Sequence, residues 1–190
     1  IHVLDVLDRV RVLFPLDDAA YKKIGAQFQG RAIGPEWCPP RVKIKNPNMS
    51  VGRHLIGDCF WLWSSGEVPV VSLKGKVVIE ALVHDEVEFL ELPVGSQTLF
   101  AINAIRQVDC IDHERAETKR FSDGGVMRYT KYAFISDRTA SLNLFKAVGD
   151  PRGFIFVSNA FVALTQQKLA GFYFKDATFA GSLGGKRIGN

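Results

Sequence analysis

Cysteine is scarce in this chain, and its few residues lie far apart in sequence, although one pair could still bridge. Cys38, Cys59 and Cys110 are odd in number and far apart, which argues against a disulfide framework and against a C-x-x-C zinc or redox site. Three free thiols in a reducing compartment is the simpler reading, and it points to the cytoplasm. Long apolar runs are missing as well. None reaches the roughly 18 residues needed to cross a bilayer, so no membrane insertion is expected. The first twenty residues scatter Asp and Arg among apolar positions and do not form a signal peptide. A start at Ile1 rather than methionine is consistent with a leader removed upstream. Charge of one sign is never concentrated: the net charge is +4 and the pI about 9.0. With no basic stripe interleaved with aromatics, no nucleic-acid partner is expected. The last glycines, "GSLGGKR", superficially suggest a phosphate loop, but the spacing is one short and Arg187 stands where Ser or Thr would bind magnesium.

What the chain does have is an ordinary globular composition, 47% hydrophobic and 23% charged over 190 residues, enough to bury a substantial core. Ile1 to Phe14 reads as a strand. "PLDDAAYKKIGAQFQG" reads as a helix capped by Asp17, with Ala20, Ile24 and Phe28 as its apolar stripe and Gly30 at its end. Gly34 to Gly57 is mostly loop, punctuated by Pro35, Pro39, Pro40 and Pro47. It surrounds the short "RVKIK" strand, whose charges alternate with Val42 and Ile44 as in a half-buried strand with a wet face. "CFWLWSSG" reads as a strand or turn and Gln97 to Asp112 as a strand. Asp123-Gly124-Gly125 marks a hairpin, and "ASLNLFKAVGDP" a helical or irregular connection. Residues 1–57 are read as part of one domain with a core over 58–177, and residues 178–190 as a flexible glycine-rich tail.

One pattern occurs twice. Val68 to Val94 and Gly153 to Ala177 each give a β-branched or aromatic strand, a serine, a one-faced helix and a second strand. Ser72 and Ser158 sit where a helix N-cap is needed, and neither lies in a G-x-S-x-G elbow or has an evident base. They are read as structural caps. Val77, Val78, Ala81 and Leu82 form the apolar face of the first helix; Phe161, Leu164, Thr165 and Leu169 form that of the second. The expected architecture is α+β: a mixed sheet with two similar strand–Ser-capped helix–strand units and a β-hairpin, crossing over right-handedly wherever the flanking strands pair in parallel.

These residues carry a resemblance. Val70-Val71-Ser72 before a helix, then Val87-Glu88-Phe89 with Leu92-Pro93-Val94, Val108 to Asp112, and Val157-Ser158 with Leu169, Gly171, Phe172 and Phe174 form a series. So ordered, and with Asp58-Cys59-Phe60 just upstream, it resembles the bacterial polymorphic-toxin immunity proteins of the eleventh numbered immunity family. The likeness spans roughly Asp58 to Lys175 and rests on short, mostly structural motifs. It departs at Ala116, where that family often has serine. The resemblance implies a protein that binds a cognate secreted or contact-delivered toxin, with no cofactor and no catalysis. The first 57 residues match no motif and could carry partner specificity.

The candidate site residues are chosen on their chemistry. "DCIDHER", Asp109 to Arg115, is the most loaded stretch: Cys110 with His113 could act as nucleophile and base, or Asp112 with His113 as metal ligands, in a small hydrolase or transferase. The plainer alternative is a solvated turn in which Asp112 caps the residues after it. Asp58 and Cys59 with His54, and His84 with Asp85, lack the spacing of a metal site. A small-ligand module built on the tryptophans is a third alternative. As partner-binding residues the sequence offers Trp37, Trp61, Trp63, Arg41, Asp112, His113 and Arg115, with Trp37 in "PEWCPP" the tryptophan most expected to be exposed.

Overall fold

The structure is a computed structural model, and it describes residues 1–5, 11–45, 57–64, 68–150, 153–177 and 187–189. It has the expected α+β class, but its strands form two six-stranded mixed sheets and a separate hairpin rather than one sheet. The elements in chain order begin with β1 (His2–Asp5), β2 (Val12–Pro15), α1 (Asp18–Gln27), a 3-10 turn (Gly34–Glu36), β3 (Val42–Lys45), β4 (Cys59–Leu62) and β5 (Val68–Val71). Next come α2 (Leu73–Val83), β6 (Val87–Val94), β7 (Gln97–Ala104), β8 (Gln107–Val108) and the hairpin β9 (Glu117–Arg120) and β10 (Val126–Lys131). The chain continues through α3 (Ser136–Thr139), β11 (Leu144–Ala147), β12 (Ile155–Val157), α4 (Asn159–Lys168), β13 (Tyr173–Asp176) and β14 (Arg187–Gly189).

The two sheets are built alike. One has the order β3-β2-β4-β5-β7-β6 and the other β8-β11-β12-β1-β13-β14. β4 lies parallel to β2 and antiparallel to β5, just as β11 lies parallel to β8 and antiparallel to β12. Each capped helix then leads to a strand two places away, with an antiparallel strand between. That strand is β7 in the first sheet and β1 in the second. The strands flanking each helix are therefore parallel to each other but not adjacent, so each unit is a split crossover. The direct parallel pairing on which the expected handedness was conditioned does not occur. The repeat is also longer than the sequence suggested, since it includes the strand before each unit.

Both caps form as expected. Ser72 accepts from the Gly75 amide and Ser158 from the Phe161 amide, each at 3.1 Å, from extended cap backbones. The same hydroxyls donate at 2.9 Å to Asp58 and to Asn143, the residues that open β4 and β11. Each of these partners then reaches the end of the other unit's helix. Asp58 Oδ2 accepts from the Ala170 amide just after α4, and Asn143 Nδ2 donates to the Leu82 carbonyl near the end of α2. The start of each helix thus lies beside the end of the other, so α2 and α4 pack antiparallel.

Three clusters fill the interior. Between the helices and the sheets lie Ile79, Val83, Phe161 and Val162, together with Trp61, Phe100, Ile102, Val157 and Phe174. α1 covers the far face of the first sheet through Ile24 and Phe28, which meet Phe60, Leu62, Val70 and Leu92. The far face of the second sheet is covered by Tyr129, Tyr132 and Leu142 over Phe145 and Phe156. Alternate residues of β4 and β11 feed opposite clusters, as strand geometry dictates.

Several expectations change. The Ile1–Phe14 stretch is two strands in different sheets. The Gln97–Asp112 stretch stops at Ala104, where the Ile105 and Arg106 amides turn onto the Glu86 carbonyl and the chain crosses to the second sheet as β8. "LFKA" in the supposed connection is β11, an interior strand whose Leu144 and Phe145 are fully buried. The α2 face is rotated: Gly75, Ile79 and Val83 are buried, whereas Val77 is 60% exposed. Gly75 sets that rotation, since a Cβ there would stand 2.9 Å from Val71 Cβ. The glycine-rich end contributes β14 alongside β13, so Arg187–Gly189 are paired rather than loose. Asp17 caps α1 as read, through the Ala19 amide at 2.8 Å. The hairpin turns at Phe121 to Gly125 with Gly124 at a φ of 87°. His54, most of the Pro47-to-Gly57 loop and residues 178–186 lie outside the described residues.

Candidate functional site

The Asp109–Arg115 stretch is a turn at the margin of the second sheet. Asp112 Oδ1 accepts the amides of Glu114 and Arg115 at 3.1 and 3.2 Å, as a capping aspartate does, and its other oxygen faces Arg115 at 3.7 Å. His113 turns to the Tyr129 hydroxyl, 3.3 Å from its Nδ1. Cys110 is fully buried among Ile111, Tyr132 and Phe145, and burial pushes its thiol up to about 11. Asp112 spends its carboxylate on the turn amides and Arg115, while His113 faces Tyr129, so the two do not act on a common point. The structure brings Asp112 and Arg115 together, but among the described residues it gives Cys110 no histidine partner. Among the described residues no three His, Cys, Asp or Glu side chains gather at metal-binding spacing.

The tryptophans fall into three environments. Trp61 is 4% exposed in the central cluster. Trp37, the one expected to be exposed, is half-buried: its indole donates to the Glu91 carbonyl at 2.6 Å and its ring meets the edge of Phe28. The loop around it is held by Glu88, which accepts the Ile33 and Gly34 amides at 2.9 and 2.7 Å. Trp63 is the exposed one, at 53%, and it stacks on Phe14 with ring centroids 5.5 Å apart.

That stack has neighbours that residue order alone does not assemble. The register pairs Phe14 with Lys43 across β2 and β3, and the Leu16 amide donates to the Arg41 carbonyl at 2.9 Å, one step further along. Leu16, Phe14, Arg41 and Lys43 therefore share the Trp63 face. Alternation in "RVKIK" and "VLFPL" carries half of this signal. The missing half is which strands are neighbours.

Two further titratable groups serve the fold. Glu86 is 6% exposed and accepts the Asn143 and Leu144 amides at 2.9 Å, and burial raises its carboxyl above the usual range. The Lys146 ammonium donates to the Phe28 carbonyl at 2.7 Å, a cation at the negative end of α1, and burial lowers its pKa.

The groups with chemical potential are thus engaged in caps, turns and joints, on a two-sheet α+β scaffold whose exposed tryptophan lies on a sheet face. A model of the immunity protein family Imm11 matches residues 45–178, well over half of the chain. The protein belongs to the Imm11 immunity protein family. No curated protein sequence matches the chain.

Proposed function

We propose that this protein neutralises a cognate secreted or contact-delivered bacterial toxin by binding it stoichiometrically and occluding its active site, inside the cytoplasm of the cell it protects, without catalysis of its own. The family match over residues 45–178 carries the reading. It is supported by the state of the Asp109–Arg115 stretch, where Asp112 is committed to turn amides and Cys110 is sealed in the core. Among the described residues no helix is long and apolar enough to cross a membrane. An occluding protein needs a shaped surface with a few buried anchors inside a polar rim, rather than an activated nucleophile.

Finding a toxin-encoding open reading frame beside this gene, and titrating the purified protein against the activity of its product, tests this. Complete inhibition near equimolar amounts is the expected result. Protection by a small fraction of an equivalent would mean turnover and would return Cys110 and His113 to first place. Cys110→Ala with His113→Ala should leave inhibition nearly intact in a protein that stays folded.

A further inference from the structure

We infer that the toxin docks on the face of β3, β2 and β4 that carries Trp63, and that the surface it presents there is acidic around an apolar pocket. The inference rests on the immunity reading and adds the location and chemistry of the interface.

Trp63 leaves more than half of a large aromatic side chain in water, at 53% exposure, and Leu16 beside it is 54% exposed. The Phe14 ring beneath, at 5.5 Å and inclined by 26°, fixes the indole in place. An anchor already ordered in the free protein loses little side-chain entropy on binding. Tryptophan and arginine are also the residue types that most often dominate protein–protein hot spots.

The strands that carry this anchor bear charge of one sign, and Asp17 and Asp18 follow only past Leu16, at the start of α1. Lys43 stands opposite Phe14 and Arg41 opposite Leu16, both exposed, and β2, β3 and β4 contain no acidic residue. An acidic partner would be steered to such a face, and a basic one repelled. Phe121, also 53% exposed, lies in the hairpin turn with Asp123 rather than on a sheet face. A second rival, the apolar patch of Leu73 and Val77 on α2, lacks both features. It has no aromatic, and its basic Lys76 is neutralised by Glu80 at 2.8 Å. Aromatic and basic side chains on a sheet face also suit single-stranded nucleic acid; family membership favours the protein partner.

Surface plasmon resonance of the full chain on the immobilised product of the neighbouring toxin reading frame decides the matter, with circular dichroism confirming that each variant is folded. Trp63→Ala should weaken Kd by about 30-fold or more. Arg41→Glu with Lys43→Glu should cut the association rate by about 10-fold or more at low salt, with the difference shrinking as salt rises. Val77→Glu should bind as the wild type does. Wild-type binding that survives both Trp63→Ala and the charge reversal, or that is lost in Val77→Glu alone, overturns this surface while leaving the immunity reading standing. Failure of the wild type to bind removes the immunity reading and the surface with it. Tight binding of single-stranded oligothymidine that depends on Trp63 would overturn the protein occupant.

Discussion

Asp58 and Asn143 occupy equivalent places yet face opposite groups, so exchanging a carboxylate for an amide at either one should be costly. Asn143 must accept from Ser158 and donate to the Leu82 carbonyl at 3.1 Å. Asp58 must accept from Ser72 and also from the Ala170 amide at 3.2 Å. Asn143→Asp keeps the first bond, loses the second and points a carboxylate at a carbonyl, close to the Glu86 carboxylate that accepts the Asn143 amide. A lost hydrogen bond of about 1 kcal/mol and an orphaned carbonyl costing about 1–3 kcal/mol together predict a loss of about 3 kcal/mol at pH 7. For a chain of this size that lowers Tm by about 6–12 °C. Asp58→Asn sets an amide donor against the Ala170 donor and should cost less, about 1–2 kcal/mol, since Lys74, its other partner, is exposed and contributes little. The pH dependence separates this account from simple disruption. The introduced carboxyl is charged at some cost in the fold, so its folded pKa rises above the unfolded value of about 3.9. Its penalty is then absent below that value and grows as pH rises through the folded one. Differential scanning calorimetry should therefore show the Tm gap between Asn143→Asp and wild type narrowing from pH 7 to pH 4. An equal Tm at pH 7, or a gap that does not change with pH, would refute the reasoning.

Ser72→Ala and Ser158→Ala should each cost about 0.5–2 kcal/mol, towards the upper end because each hydroxyl also donates to Asp58 or Asn143. Toxin protection should persist at a permissive temperature, and its loss in a stably folded variant would sink the capping role. Burial raises the Glu86 pKa, so its contribution is fully present below the unfolded value of about 4.3 and is lost as pH rises through the folded one. The stability of wild type relative to Glu86→Gln should accordingly fall from pH 4 to pH 7, as read from urea midpoints. Gly75→Ala would gain up to about 1 kcal/mol in an open helix, but here the new methyl meets Val71 at 2.9 Å. A net loss of about 1–3 kcal/mol is expected, and any rise in the urea midpoint would show that α2 is not held against β5 by this contact.

Legibility tracks the range of the interaction. The caps at Asp17, Ser72 and Ser158 and the turn at Asp123-Gly124-Gly125 are decided within four residues of chain, and all are readable. Asp112 belongs with them, because its partners are the next amides along. β11 escapes recognition because Lys146 interrupts its apolar pattern, and the group that accommodates that ammonium, the Phe28 carbonyl, lies far away in sequence. The α2 face is misjudged because helical spacing alone fits two stripes, and only the approach of Gly75 to Val71 chooses between them. Trp37 is expected in solvent because nothing near "PEWCPP" announces the Glu91 carbonyl. Trp63 stands out by residue type, but its stack on Phe14 depends on β2 lying beside β4.

The repetition also says where function can reside. In each half a parallel pair of strands, β2 with β4 or β8 with β11, is joined by an excursion that covers the far face of its own sheet. The strand pairs, caps and helices are matched between the halves, down to a hydroxyl-to-side-chain bond of 2.9 Å in each. The excursions are not: one is α1, a proline-rich loop and β3, the other a hairpin and α3. A part that must keep its geometry for the halves to hold each other's helix ends has little freedom to change. An excursion need only present apolar groups to one sheet face, through Ile24 and Phe28 or through Tyr129 and Tyr132, and its other side is open to selection for a partner. β3, with Val42 turned to the core and Lys43 exposed, and Arg41 exposed just before it, divides its residues in that manner. The family match begins at the last residue of this strand, so most of the first excursion, like β1 and β2, lies outside the matched residues. A recognition surface placed there could change its partner without disturbing the caps that keep the two halves together.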